Sequence, residues 1–366
     1  MPLLRWPAGT FWFRGLLVLL LCGGMAQAAT ITVDTAGDGA TGCTLRRAVE
    51  NANAGAMLHG ACASGTAGGN TITFDSALNG TAIVLNGTLQ LTRSVSIAGN
   101  GQANTFIAGG VTPKTGSRVF DVPTGVGITV SLSELTVRNG WAASGTSLSS
   151  AGGLFIASGA NVNLINCTFE NNHAESSGGA TENRGTLSIS NCIFTGNTAR
   201  GEGGSIRNIG LLTVTGSTFN GNTAERGGAI WMSHPSAMVN VSGSTFGTNA
   251  GSTTAPGFTA YGGALMNADE SGATLVLSAN SYTGNNSGGT GDVVWEGNPL
   301  VTVLPTSAIV AGQSAALSAQ VQGPYYVPSG TISLYSGVTA VPGCVNVTLS
   351  ASGQADCVGT GLTLVS

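Results

Sequence analysis

Apolar and polar residues alternate in short runs along most of the chain. Leu187 and Ile189, Leu212 and Val214, Val239 and Val241, and Leu275 and Leu277 are such pairs. A period of two marks strands with one buried face. The same pattern, less regular, precedes them at Ile72 and Phe74, Ile83 and Leu85, Leu89 and Leu91, Val95 and Ile97, Phe120 and Val122, Ile128 and Val130, and Leu135 and Val137, with Gly, Asn or Ser turns between. One stretch has helical spacing instead: Leu45, Ala48, Val49 and Ala52 fall on one helix face behind Thr44, a residue suited to an N-cap.

Two motifs keep step with the strands. Phe-x-x-Asn recurs at Phe169 and Asn172, Phe194 and Asn197, Phe219 and Asn222, and Phe246 and Asn249, with Tyr282 and Asn285 as a fifth copy, at spacings of 25, 25, 27 and 36 residues. Gly-Gly recurs at 152, 178, 203, 227 and 262, at spacings of 26, 25, 24 and 35. The long last spacing places an insertion around Gly251 to Tyr261 in a loop. A unit of about 25 residues cannot bury its own apolar face, so copies must stack, each strand pairing with its equivalent one coil along. The expected fold is all-β, a parallel β-helix over 68–298 with roughly nine coils. Repeated residues then form ladders: Phe169, Phe194, Phe219, Phe246 and Tyr282 inside, Asn172, Asn197, Asn222, Asn249 and Asn285 at a turn, and Asn183, Asn208 and Asn267 at a second turn.

Composition sharpens this picture. Only 12 Lys and Arg and 16 Asp and Glu occur in 366 residues, against 58 glycines. The net charge of −4 with one lysine, Lys114, excludes a nucleic-acid binder, and 42% hydrophobic content excludes disorder. Residues 1–28 read as a secretory leader: Arg5 and Arg14 precede an apolar run, Leu16 to Leu21, and an Ala26-Gln27-Ala28 cleavage site. Cys22 leaves a lipid-anchored alternative. No later segment has 18 uninterrupted apolar residues, so no transmembrane segment is expected after the leader.

Both ends of a β-helix are open sheet edges that soluble proteins cover. Residues 29–67, with the short helix, are expected to cap the first coil, flanked by Cys43 and Cys62 at a spacing suited to a disulfide. From 299 to 366 the chain alternates differently, at Ala308, Val310, Leu317, Ala319, Val321, Ile332 and Leu334, which suggests an immunoglobulin-like sandwich. Its length falls short of the ~100 residues usual for that sandwich, so the domain is expected to be incomplete. Cys344 and Cys357 flank a hairpin and are expected to pair. Cys167 and Cys192, one coil apart, are candidates for a disulfide or for two buried thiols.

Several of these segments resemble known families. Gly227-Gly228-Ala229-Ile230 and Phe219-Asn220-Gly221-Asn222 resemble the G-G-A-I and F-x-x-N repeat of chlamydial polymorphic outer membrane proteins and related right-handed β-helices. Cys43-Thr44-Leu45-Arg46-Arg47-Ala48 is similar to the C-S-L-R-E-A motif of secreted bacterial β-helix proteins, with Thr44 and Arg47 in place of serine and glutamate. Pro342-Gly343-Cys344 and Ala355-Asp356-Cys357 resemble bacterial immunoglobulin-like repeats. The resemblance implies a right-handed coil and an exported protein of the cell surface, outer membrane or medium, without implying enzymatic activity.

Candidate chemistry is sparse. Polysaccharide lyases and hydrolases on this scaffold need clustered carboxylates with a basic partner. Asp269-Glu270 is the one adjacent acidic pair after the leader, and His59, His173 and His234 lie far apart. No calcium-loop or nucleophile-elbow motif occurs, so neither metal nor cofactor is expected. Counting four residues on from each Gly-Gly gives a column, Ile156, Glu182, Arg207, Trp231 and Met266, with the composition of a binding stripe for an extracellular glycan or protein. In it Glu182 and Arg207 are expected to form an outward ion pair, worth about 0 to 1 kcal/mol if exposed. These observations favour an adhesin-like, non-enzymatic structural protein. A carbohydrate-active enzyme and the passenger of an autotransporter are the alternatives.

Overall fold

The structure, a computed structural model, describes residues 28–125, 127–143, 149–232, 234, 236–251, 262–268, 274–286, 294–296, 300–305, 315–322, 331–332, 335–336, 339–348, 350 and 354–359. Residues 1–27 of the leader, the pair Asp269 and Glu270, and about half of the proposed immunoglobulin-like region lie outside the described residues.

Four parallel sheets build a right-handed β-helix, one of them confined to the middle coils among the described residues. One coil shows how the chain visits them. Thr186–Ser190 lies in sheet 1, Ile193–Thr195 in sheet 2, Thr198–Ala199 in sheet 3 and Ile206–Asn208 in sheet 4, and Leu211–Thr215 returns to sheet 1. Among the described residues sheets 1 to 4 hold nine, eight, five and eight strands. Register is strict: Leu187 pairs with Leu212 and Ile189 with Val214, so apolar side chains stack on apolar ones inside.

Corners between sheets are set by residues in the left-handed region, which repeat in phase. The corner from sheet 3 to sheet 4 has Gly178, Gly203, Gly227 and Gly262 at φ of 63 to 66°. The next glycine serves a different purpose, since a Cβ on Gly204 would stand 2.1 Å from the Gly228 carbonyl oxygen. In the preceding coil the left-handed residue is Ala151, at φ 62°, and Gly152 stands where Gly179 does in the next, a Cβ on it falling 2.5 Å from the His173 carbonyl oxygen. The corner motif is therefore Ala151-Gly152 rather than Gly152-Gly153. Everything after it shifts by one residue.

Inside, Phe169, Phe194, Phe219, Phe246 and Tyr282 stack with centroids 5.1, 4.9, 4.9 and 5.2 Å apart. The Asn ladder lies at the sheet 2 to sheet 3 corner. Asn197 Nδ2 donates to the Phe169 carbonyl and to Asn222 Oδ1, while its own Oδ1 accepts from the Asn172 N–H and Nδ2, at 2.9 to 3.1 Å. Each amide thereby satisfies backbone groups that the corner leaves unpaired. At the second Asn turn, Asn183 donates to Asn208, but Met232 separates Asn208 from Asn267.

The first strand of sheet 1, Ala29–Val33, pairs with Asn70–Phe74, so a solenoid strand precedes the capping segment. Helix α1, Leu45–Ala54, is capped by Thr44, buries Leu45, Ala48, Val49 and Ala52, and packs on strands of sheets 1 and 4. A Cys43–Cys62 disulfide and an Arg46–Asp38 ion pair at 2.7 Å tie it down. Toward the other end, Leu300–Pro305, Ala315–Gln322 and Gln354–Gly359 pair antiparallel, with a Cys344–Cys357 disulfide.

Cys167 and Cys192 are free thiols. Their column continues with Ser217 and Ser244, and the sulfurs do what those hydroxyls do. Cys192 Sγ accepts the Cys167 N–H at 3.3 Å, and Cys167 Sγ donates to the Leu132 carbonyl at 3.3 Å. The hydrogen bond with Cys192, then burial, pushes the Cys167 thiol up, which keeps it protonated.

Replacing Asn197 with Ala should remove about 3 kcal/mol, because the Asn172 N–H and the Phe169 carbonyl lose buried partners together. Ser188→Ala, on the outer surface of the same coil, should change stability by less than about 0.5 kcal/mol. Equilibrium denaturation of both variants checks the contrast.

Candidate functional site

The corner from sheet 3 to sheet 4 gathers most of the charge in the middle coils. Ala174 pairs with Ala199, and the residues that follow, Glu175, Arg200 and Glu225, stand at 25-residue intervals on successive coils. Two residues further on, Ser177 Oγ reaches Glu202 Oε2 at 3.4 Å, and Glu202 is bridged to Arg226. Together with Arg184 and Arg207 from sheet 4, these side chains line a groove of about 530 Å³. A second hollow of similar size lies on the other side of Arg184, with Ser158, Thr186 and His234 in its wall.

Beside the groove runs the outward column of sheet 4, which meets it at Arg207. Register makes this column Phe155, Glu182, Arg207, Trp231 and Met266. Ile156 is not in it; the one-residue shift at Ala151 turns Ile156 inward, where it is fully buried. Nor is the column an exposed stripe: Glu182 is sealed from solvent, and Trp231 and Met266 are each 5% exposed. Of the five residues expected there, Arg207 alone reaches the groove.

Glu182 is the centre of the electrostatics. Its Oε1 meets Arg184 Nη2 at 2.5 Å and Arg207 Nη1 at 3.0 Å, so the expected ion pair with Arg207 exists with its carboxylate buried. Arg207 Nε reaches Glu202 Oε2 at 3.0 Å, and Arg226 stands 3.9 Å from the same carboxylate. Burying a carboxylate is costly unless it is paired. Two guanidiniums offset that cost, and Glu182 in turn fixes where both of them point. Aromatic faces complete the support: Arg184 lies 5.2 Å from the Phe155 ring centroid and Arg207 5.1 Å from that of Trp231. Arg118, also over Phe155, holds the Ser150 and Ala151 carbonyls at 2.7 and 3.0 Å, fixing the rim. Burial lowers its pKa, and Asp121 opposes the shift.

At one end of the groove His173 is buried between Thr198 Oγ1, 2.6 Å from Nδ1, and Glu175 Oε1, 3.0 Å from Nε2. His59 pairs with Glu50 in the cap segment, and His234 bonds Ser236. Among the described residues no group of His, Cys, Asp and Glu is arranged to hold a metal ion. No described helix is long and apolar enough to cross a membrane.

Glu175, Arg200, Glu202 and Glu225 form a cluster that adjacency along the chain does not reveal. Their spacing in the sequence, 25 residues from Glu175 to Arg200 and again to Glu225, was the available signal.

A family model, the Chlamydia polymorphic membrane protein repeat, matches residues 166–184 and 216–233. The two matched segments are similar to polymorphic membrane protein repeats. Each matched segment runs from the corner before the stacked Phe, through the Asn ladder, to the Gly-Gly corner and the outward strand of sheet 4. The repeat-like segments thus contribute Glu175, Arg184 and Glu225 to the groove, and buried Glu182 beneath Arg184 and Arg207. No curated protein and no solved structure matches the chain.

Burial lowers the His173 pKa below its ordinary value of 6.5, against the opposing hydrogen bond from Glu175. The folded protein therefore binds fewer protons at this ring than the unfolded chain. Its stabilising contribution is complete above the unfolded value and is lost as pH falls through it toward the lower folded value. The melting temperature should drop between about pH 7 and pH 5, with a shallower drop in His173→Gln. An unchanged slope in the variant would remove His173 from this account.

Proposed function

We propose that the chain is an exported, non-catalytic binding protein of the bacterial cell surface or medium, whose groove holds an extracellular glycan or protein ligand. In this reading residues 1–28 are a cleaved leader, 29–67 a cap that opens with the first solenoid strand, 68–298 the rest of the binding rod and 299–366 an immunoglobulin-like module. The likeness to polymorphic membrane protein repeats supports a surface-exposed, adhesin-like role, including that of an autotransporter passenger. One observation carries the choice of site. In a chain so poor in charge, Glu175, Arg200 and Glu225 are stacked at a groove, and neither Arg200 nor Glu225 has an ion-pair partner among the described residues. A ligand with hydroxyls, or with both charge signs, would supply those partners.

A second reading has its own support. Glu175 and Glu225 are two coils apart, about 9 to 10 Å along the rod, close to the separation of ~6.5 to 9.5 Å found between the carboxylates of inverting glycosidases. Arg200 stands between them, where an attacking water would need to be. Glu182 is sealed and Glu202 is held by two arginines, so neither is free to exchange protons with a substrate.

Glycan and peptide arrays probed with the full chain test both readings. Binding should weaken at least about tenfold in Arg200→Ala/Glu225→Ala, with the melting temperature unchanged. Undiminished binding would move the site elsewhere. Release of oligosaccharides from a neutral or acidic polysaccharide, abolished in Glu175→Gln or Glu225→Gln, would establish catalysis instead.

A further inference from the structure

The outer surface of sheet 1 has a composition unlike the rest of the rod. Outward residues alternate with buried ones, and the register aligns them in three columns; the one at the edge, Thr129, Asn161, Thr186, Leu211, Met238 and Thr274, carries the exposed apolar Leu211 and Met238, and the other two span all nine strands. The first of these two runs Thr30, Thr71, Ser96, Ser131, Asn163, Ser188, Thr213, Asn240 and Val276. The second, two residues on, begins with Thr32 and Thr73 and continues through Ala98, Ser133, Ile165, Ser190, Thr215, Ser242 and Ser278. All are exposed or half-buried. Neither column contains an ionisable or an aromatic side chain, and most positions carry a hydroxyl.

Sheet geometry fixes the spacing of this array. Outward positions repeat every ~4.8 Å along the rod and about 7 Å across it, over nine strands and roughly 38 Å, with hydroxyls at most of them and a break at Asn163 and Ile165. Backbone pairing fixes the spacing of these side chains before any ligand arrives. Such an array contacts a flexible ligand no better than any polar surface does. Against a ligand that is itself a lattice, the same weak contact is made many times at once.

We infer that this face binds ice. Three features select ice over other periodic solids. The absence of charge removes the desolvation cost that a lysine or carboxylate would impose on contact with an uncharged lattice, and it leaves nothing to recognise an ionic mineral. The absence of aromatic rings removes the platform on which the sugar faces of a crystalline polysaccharide stack. What remains, hydroxyls and methyl groups in rows, matches a surface made only of water oxygens whose rows repeat on the same scale. The face lies on a different sheet from the charged groove, so the inference does not rest on the binding proposed there.

The test is ice recrystallisation in the presence of the full chain, read against an equal concentration of albumin. The chain should arrest grain growth at micromolar concentration. Ser188→Lys/Thr213→Lys, which places two ammonium groups mid-face, should need at least about tenfold more protein for the same effect. Ile193→Lys, on the outer surface of sheet 2, should match the parent. Circular dichroism confirms that the variants fold, and Thr71→Lys, toward the other end of the face, replaces the double variant if it does not. Grain growth no slower than with albumin overturns the inference. So does full activity in the lysine variants, or retention on crystalline cellulose without any effect on ice.

Discussion

Each residue in the coils of this protein lies about 4.8 Å from its counterpart on the coil above and on the coil below. The rest of the structure depends on that constraint. A side chain is acceptable at a position only if it tolerates a neighbour in the same place. Phenylalanines stack, asparagines bond amide to amide, and Ser or Thr hydroxyls face one another, so these form columns of like residues. Charges cannot, because like charges directly opposite each other in a sheet destabilise it. The charged columns accordingly alternate in sign: Glu175 then Arg200 then Glu225, Glu182 with Arg207, Glu202 with Arg226, and Arg138 with Glu170, the last pair 3.6 Å apart. The low charge content and the placement of the charges that remain have this common cause.

The same rule explains what could be read in the sequence. Columns of like residues leave a periodic trace, which made the Phe and Asn ladders, the corner glycines and the strand pairs legible before any coordinates. Mixed columns leave none. The column through Glu182 was located by counting from Gly-Gly, and the count failed at one coil because an alanine, Ala151, takes the left-handed corner there. A single residue of offset exchanged buried Ile156 for outward Phe155. Burial was also out of reach of the sequence: outward strand positions are ordinarily exposed, yet Glu182, Trp231 and Met266 are covered. The groove escaped notice because its charged residues come from two parts of each coil, and only the corner brings Arg184 and Arg207 beside Glu202.

A rigid rod with ladders on every side separates its surfaces by composition. One corner holds nearly all the charge of the middle coils and offers a polar groove. Sheet 1 holds none in its two full-length outward columns and offers a flat array of hydroxyls. Neither surface needs the chain to move, since the columns that build them are fixed by the backbone register. Binding to either would therefore be limited by complementarity rather than by ordering of the protein.

The central claim is that in-register alternation of charge holds the groove together. Arg207→Glu tests it most directly, since it sets a carboxylate in register with buried Glu182 and beside Glu202. If the account is right, denaturant unfolding will show a loss of more than about 3 kcal/mol, the scale expected when a buried charge loses its partner. Stability within about 0.5 kcal/mol of the parent would contradict it, because the stacking constraint would then not govern where charge is allowed.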